Sequence, residues 1–177
     1  MNTEKGFIHI YCGDGKGKTT AALGLAVRAA GAGKNVHFVQ LLKGNPTSEL
    51  NSLKFIPNIT VDRPQKGFGF TWEMTDNQKA ELTEIHNTLL LSAFERMALG
   101  DTDMLIIDEF CGAYNKGLLD KKIADRVFFE RPFSCELVIT GREPEEKFIE
   151  AADYVSEIIC RKHPYACGVP ARKGIEF

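Results

Sequence analysis

The sequence predicts a three-layer α/β fold built on a mostly parallel central sheet. Two observations carry that expectation. Short apolar runs alternate with helix-patterned stretches along the chain, the arrangement of strands joined by crossover helices. The first run, Phe7 to Tyr11, leads through Gly13-Asp14-Gly15-Lys16-Gly17-Lys18-Thr19-Thr20 straight into an alanine-rich stretch. Strand, glycine-rich turn, Lys-Thr and helix is the order a phosphate-binding loop needs. The glycines let backbone N–H groups approach the phosphates, Lys18 brings a positive charge, and the Thr19 hydroxyl is placed to ligate Mg²⁺. The helix behind aims its positive dipole end at the anion.

The loop is a variant. The usual pattern is Gly, four residues, then Gly-Lys-Ser/Thr. Counting back from Gly17 puts Cys12 where the first glycine belongs, and Gly13 comes one residue late. Asp14 and a second lysine, Lys16, also sit inside the turn.

Each element can be justified in turn. Phe7 to Tyr11 is apolar enough for a strand buried on both faces. Lys18 to Ala30 forms the first helix, with Ala22, Leu25, Ala26 and Ala29 on one face, Arg28 off that stripe and Gly31 as a stop. Val36 to Leu41 is the second strand, and this strand–helix–strand unit implies a right-handed crossover with parallel pairing. Glu49 to Ile56 reads as a short helix and Ile59 to Asp62 as a short strand. Thr75 and Gln78 form a capping-box pattern that opens a long helix with apolar positions Leu82, Ile85, Leu89, Ala93 and Met97. Met104 to Ile107 is a core strand ending in Asp108-Glu109. Leu118 to Glu130 reads as one helix, Glu136 to Thr140 as a strand followed by Gly141-Arg142, and Pro144 as the opening of a short helix. Ala152 to Ile159 supplies the last strand, before a loop-like tail.

Composition narrows the function classes. At 177 residues the chain is expected to be one domain with a proper core. A net charge of −2 argues against a general nucleic-acid binder, and no apolar run has membrane-spanning length. The five cysteines are odd in number and lack a Cys-x-x-Cys pair, so neither a zinc site nor a disulfide framework is expected. No signal-peptide pattern precedes the first strand, and a cytoplasmic location is the expectation.

Several residues then carry candidate chemistry. Asp108-Glu109, after a hydrophobic strand, can hold the Mg²⁺ whose other ligands are Thr19 and phosphate oxygens. Phe68, Phe70 and Trp72 cluster between glycines in a loop with no strand or helix period. They read equally as core aromatics and as a wall for a large flat apolar ligand. Arg142 follows a strand at the carboxyl edge where ligands of open α/β sheets bind, and reads equally as a phosphate contact and a surface arginine. His163, before Pro164, has on physical grounds a structural reading first.

Taken together these residues resemble the P-loop-type corrinoid adenosyltransferases. The likeness runs over nearly the whole chain. It rests on residues 13–22, on Arg28-Ala29-Ala30-Gly31, and on Val39-Gln40 with Lys43-Gly44. It continues in Gly69-Phe70-Thr71-Trp72, Asp108-Glu109, Thr140-Gly141-Arg142, Lys162-His163-Pro164-Tyr165 and Gly174-Ile175-Glu176-Phe177. The late first glycine is itself a feature of that family. The resemblance implies a P-loop NTPase (RecA-like) fold, with ATP as co-substrate, Mg²⁺ or Mn²⁺, and a reduced corrinoid (cobalamin or cob(I)yrinic acid a,c-diamide) as acceptor. The implied reaction moves the 5′-deoxyadenosyl group of ATP to Co(I) and releases triphosphate, in adenosylcobalamin biosynthesis or salvage. It implies ATP held reversed relative to other proteins with this loop.

The resemblance further implies that Phe70 and Trp72 close the lower face of the corrinoid, and that Arg28 and His163 lie around the nucleotide. It implies a homodimer and an electron donor such as a reduced flavoprotein. The chain begins shortly before the loop, so the N-terminal helix that covers the site in some relatives is not expected. Two other readings share parts of the pattern. A generic P-loop phosphotransferase or ATPase uses the loop and Asp108-Glu109 but leaves Phe70, Trp72 and the tail unexplained. A corrinoid-delivery protein without catalysis uses the aromatics but has no need of Lys18.

Overall fold

The computed structural model describes residues 4–44, 47–69 and 71–176. Its centre is a six-stranded sheet made of β1 (Ile8–Cys12), β2 (Val36–Gln40), β3 (Ile59–Asp62), β4 (Met104–Asp108), β5 (Glu136–Thr140) and β6 (Tyr154–Glu157). The spatial order is β3-β2-β4-β5-β1-β6, and every pairing is parallel. The mostly parallel sheet expected from sequence is thus wholly parallel among the described residues. β1 and β2 do run parallel, but they are not paired: β4 and β5 lie between them.

Among the described residues six α-helices connect the strands: α1 (Lys18–Gly31), α2 (Glu49–Leu53), α3 (Asp76–Ala98), α4 (Phe110–Asn115), α5 (Lys121–Phe129) and α6 (Glu146–Ala151). Burial on both sheet faces explains the near-continuous apolar strands. On one face Ala22, Ala26, Ala29 and Ala30 of α1 pack against Val36, Phe38, Met104, Ile106 and Val138. The alanines let α1 sit close to the sheet directly behind the glycine-rich loop. On the other face Leu82, Leu90, Ala93 and Met97 of α3, with Phe110, Tyr114, Phe128 and Phe148, cover Ile10, Leu105, Ile107 and Ile139. Among the described residues no helix is long and apolar enough to cross a membrane.

The structure differs from the sequence-based elements in several places, among them the end of α2 at Leu53 rather than Ile56. The buried stripe of α3 is Leu82, His86, Leu90, Ala93 and Met97, so Ile85 and Leu89 flank it. His86 takes an inward position because it is fully bonded there. Its Nδ1 lies 2.9 Å from the Leu118 carbonyl, and its Nε2 accepts from the Leu42 N–H at 3.2 Å. The helix expected from Leu118 starts later, at Lys121, because Asp120 caps it by accepting from the Lys122 and Ile123 N–H groups. A short helix, α4, precedes it and ends at Asn115, with Gly117 just past its cap at a φ of 66° that suits a helix stop. The last strand ends at Glu157 because Ile158 turns inward over the phosphate loop. The capping box of Thr75 and Gln78 is present with both of its hydrogen bonds.

His86 and His37 are buried, and burial lowers the pKa of each despite opposing hydrogen bonds to Leu118 and Asp62. The fold therefore favours both imidazoles neutral, whereas unfolded histidine titrates near pH ~6.5. Their contribution is complete above that value and is lost as the pH falls below it, since the unfolded chain then binds more protons. Urea unfolding should show lower stability at pH 5.5 than at 7.5. His86→Gln should be weaker at pH 7.5 yet lose less between the two.

Candidate functional site

The carboxyl ends of β1, β2, β4 and β5 converge on one cavity of about 1110 Å³. Its floor is the phosphate loop: Asp14 through Thr20 all line it. Lys43, Glu109, Arg142, His163, Tyr165 and Glu176 contribute further polar wall. β5 is inserted between β1 and β4, so Thr140 stands between the loop strand and Asp108.

The glycines of the loop are required by what crosses it. Gly13 has φ 99°, and a Cβ there would lie 2.4 Å from the Ile158 carbonyl oxygen. A Cβ on Gly15 would lie 2.7 Å from the same oxygen, to which the Gly15 N–H donates at 2.7 Å. Ile158 N–H in turn donates to the Cys12 carbonyl at 2.9 Å. Cys12 is therefore the last rung of β1, and the first position free to turn is Gly13. The late glycine follows from a strand that runs one residue further before the loop begins.

The two extra charges of the loop face the tail. Asp14 Oδ1 accepts from the Cys160 N–H at 2.9 Å, and this bond, first among its causes, holds the Asp14 carboxyl below its ordinary pKa. Lys16 Nζ stands 3.8 Å from Glu176 Oε1. The tail thereby closes over the loop and brings His163 and Tyr165 to the cavity. Lys18 folds back on its own turn, donating to the Gly15 carbonyl at 2.8 Å. Burial lowers its pKa, helped by the like charge of Arg142. Arg142 is placed by Gly141, where φ is 149° and a Cβ would lie 2.6 Å from the Cys111 Cβ.

Asp108 is the hub. Its side chain is fully buried, and its Oδ1 accepts from Thr19 Oγ1 at 2.8 Å and from Thr140 Oγ1 at 2.7 Å. Its Oδ2 accepts from Lys43 Nζ at 2.9 Å. Glu109 takes the left-handed conformation, φ 63°, with its N–H donated to Thr140 Oγ1 at 2.9 Å. Burial raises the Glu109 pKa, and neighbouring Asp108 adds to the rise. The hydroxyl of Thr19 and the two carboxylates are hard oxygen donors of the kind that suits Mg²⁺ or Mn²⁺ beside phosphate oxygens. Among the described residues no three His, Cys, Asp or Glu side chains are grouped to hold a metal unaided.

The remaining candidates are placed less centrally. Arg28 is exposed on α1 and does not line the cavity; its charge faces Tyr11. Trp72 is 74% exposed and also lies outside the cavity lining. Phe70 lies outside the described residues. Phe68 packs on the core, which favours the core reading for that one aromatic. The loop that carries them is moored by Lys116 Nζ donating to Thr71 Oγ1 at 3.0 Å and by Gly44, whose Cα hydrogens face Gly67 without room for a Cβ.

Sequence reasoning gave no chemistry to Lys43, Thr140 or Glu176. Lys43 follows β2, and the pairing that carries it to Asp108, Gln40 in register with Asp108, joins residues distant in sequence.

A parallel sheet, a glycine-rich loop feeding α1 and a buried acid at the end of β4, one strand removed from the loop strand, define a P-loop nucleotide-binding protein. Solved structures agree on the fold. The KaiC-like protein PH0186 of Pyrococcus horikoshii superposes with a TM-score of 0.52 at 14% identity, over 90% of this chain and 75% of that one. The cytoplasmic domain of EssC gives 0.52 at 15%, over 97% and 37%. The sequence is more specific. Residues 4–177 match the family model of the ATP:corrinoid adenosyltransferases BtuR/CobO/CobP. Corrinoid adenosyltransferases of Escherichia coli K12 and Pseudomonas aeruginosa are 37% and 35% identical, over 98% of this chain and 87% and 85% of theirs. Corrinoid adenosyltransferase CobA of Salmonella typhimurium is 37% identical over 98% and 87%. The chain belongs to the ATP:corrinoid adenosyltransferase family.

Two substitutions test the frame of the site. Gly141→Ala must strain φ and displace Cys111, and should cost about 1–3 kcal/mol in chemical denaturation. Asp108→Ala removes the partner of a half-buried ammonium and should cost about 2–4 kcal/mol by the same measurement.

Proposed function

We propose that this ATP:corrinoid adenosyltransferase moves the 5′-deoxyadenosyl group of ATP to Co(I) of a reduced corrinoid and releases inorganic triphosphate. The observation that carries this reading is the cavity at the sheet's carboxyl edge. Its floor is the Gly13–Thr20 loop, and Lys18, Lys43 and Arg142 all line it. That is a grip for a polyanion. The acid at its edge, Glu109, has no substrate hydroxyl to deprotonate in this chemistry.

The electron balance is simple. The Co(I) lone pair forms the Co–C bond at C5′. The C5′–O bond breaks, and its electron pair leaves with the triphosphate. The nucleophile carries no proton, so no protein base is required. The whole triphosphate is the leaving group, and stabilising its growing charge is the protein's main task. Loop N–H groups, Lys18 and Arg142 serve that task, with Thr20 at the helix start and His163 on the opposite wall. Asp14 and Lys16 keep the tail folded over the loop. Thr19, Asp108 and Glu109 would hold Mg²⁺ or Mn²⁺, which when bound neutralises phosphate charge.

Phe70 and Trp72 are read as the wall against the lower face of the corrinoid. An apolar wall in place of a lower ligand leaves Co(II) four-coordinate and easier to reduce. The electron would come from a donor such as a reduced flavoprotein. Trp72's exposure fits a side chain that meets a second, large substrate. Arg28 is read as a nucleotide contact by family likeness alone, since it stands apart from the cavity. A homodimer in the cytoplasm, with the chain acting as a single domain, completes the reading.

The test is ATP plus chemically reduced cobalamin under strict anaerobiosis, followed by absorbance. The expected outcome is a light-sensitive Co–C product with one triphosphate per turnover; absence of product, or release of orthophosphate instead, sinks the reading. Lys18→Ala should lower kcat/KM by about 10²-fold or more. Trp72→Ala should block turnover from Co(II) while sparing turnover from pre-reduced Co(I).

A further inference from the structure

Lys43 leaves the carboxyl end of β2 and carries its ammonium to the point where the oxygen donors meet. Its Nζ donates to Asp108 Oδ2 at 2.9 Å and to Thr19 Oγ1 at 3.2 Å, and lies 3.8 Å from Glu109 Oε1. These are the three residues whose oxygens suit a divalent cation. A single ammonium thus bridges the whole donor set.

Its backbone is anchored on three sides. Leu42 is held at φ 59° with its N–H donated to His86 Nε2. The Lys43 carbonyl accepts from Arg63 Nη2 at 2.6 Å. Gly44 is pressed against the Lys66-Gly67 backbone. The side chain is less confined: it is 30% exposed and lines the cavity, whereas Asp108 is fully buried. A fixed backbone with a flexible four-carbon stem suits a charge that changes partners.

We propose that Lys43 is a displaceable internal counter-ion. It neutralises Asp108 and holds Thr19 until a divalent cation arrives with the triphosphate, and then yields both to that cation. An ammonium and a divalent cation cannot share these lone pairs, because they compete for the same oxygens and repel each other. A buried carboxylate with neither is costly. The displaced ammonium keeps Glu109 within reach and gains phosphate oxygens. The metal therefore binds weakly alone and tightly with nucleotide. This inference rests on Thr19 and Asp108 as metal donors in the function proposed above.

Mn²⁺ binding to nucleotide-free protein, read from the EPR signal of free Mn²⁺, is the direct test. Lys43→Met should bind Mn²⁺ about tenfold more tightly than wild type, or better, because a unit charge beside the donors is gone. Mg²⁺ should raise the Tm of Lys43→Met and leave wild type unmoved. Lys43→Gln, which keeps a hydrogen-bond donor for Asp108, should behave likewise and serves if the Met variant does not fold. Lys116→Met removes an equal charge near Glu109 and should gain less than about twofold. Equal affinity in wild type and Lys43→Gln overturns the proposal, as does an equal gain in Lys116→Met. If Mg²⁺ adds to the stabilisation of wild type by ATP while the Lys43 variants gain nothing, the counter-ion role falls and the metal site stands. If Mg²⁺ adds nothing even with ATP and the variants gain nothing, both fall.

Discussion

The structure turns on the buried carboxylate of Asp108. It sits in the middle of the sheet, on β4, with strands on both sides and no exposure to water. A carboxylate in that position is tolerated only if its lone pairs are matched. Three elements send a donor to it: α1 through Thr19, β5 through Thr140 and the turn after β2 through Lys43, while Glu109 is held beside it by Thr140. Each of those residues is thereby fixed in place at the sheet's carboxyl edge. One electrostatic demand gathers the phosphate loop, the acid pair and a lysine into a single site.

A second constraint is close backbone contact. Gly13 and Gly15 admit the Ile158 carbonyl, Gly44 admits Lys66-Gly67, and Gly141 admits Cys111. These contacts let the segment after β6 lie on the phosphate loop. They also let the aromatic loop lie on the turn that carries Lys43. The tail is then pinned by charge, through Asp14 to the Cys160 N–H and Lys16 to Glu176. Charges that look surplus in a phosphate loop are explained as fasteners for the segment that covers it.

Much of this was legible in the sequence, for identifiable reasons. Strand period, the capping box at Thr75 and the order of loop, Lys-Thr and helix depend on local chemistry, and local chemistry is written in consecutive residues. The parallel sheet followed from alternation of strands and helices. What was illegible depends on contacts between distant residues. Strand order is one case: nothing near β1 says that β5 will pair with it. The inward face of α3 is another, because His86 is acceptable inside only through the Leu118 carbonyl and the Leu42 N–H. The bridging position of Lys43 required knowing that β2 and β4 are neighbours in register. Among the aromatics, the sequence could not separate Phe68, which packs on the core, from Trp72, which is largely exposed.

The two sides of the site differ in how they are built, and the difference suits an alkyl transfer. On the phosphate side, Lys18 and Lys43 already have internal oxygen partners, the Gly15 carbonyl and Asp108. A triphosphate entering there exchanges one set of hydrogen bonds for another: the ammonium groups leave the Gly15 carbonyl and Asp108 for phosphate oxygens, so each charge has an oxygen partner before and after. In the reaction proposed here that grip holds the leaving group while the C5′–O bond breaks. On the aromatic side, Trp72 is largely exposed, and its loop is tied at Thr71 and at the Gly44 contact. In the reading proposed here that exposed face is what a broad, flat second substrate would meet. In the reaction proposed here the nucleophile is the cobalt of that second substrate. Partnered cations for the departing group and an exposed aromatic for the attacking one match what each substrate offers in the proposed reaction: charge on one side, a flat apolar face on the other.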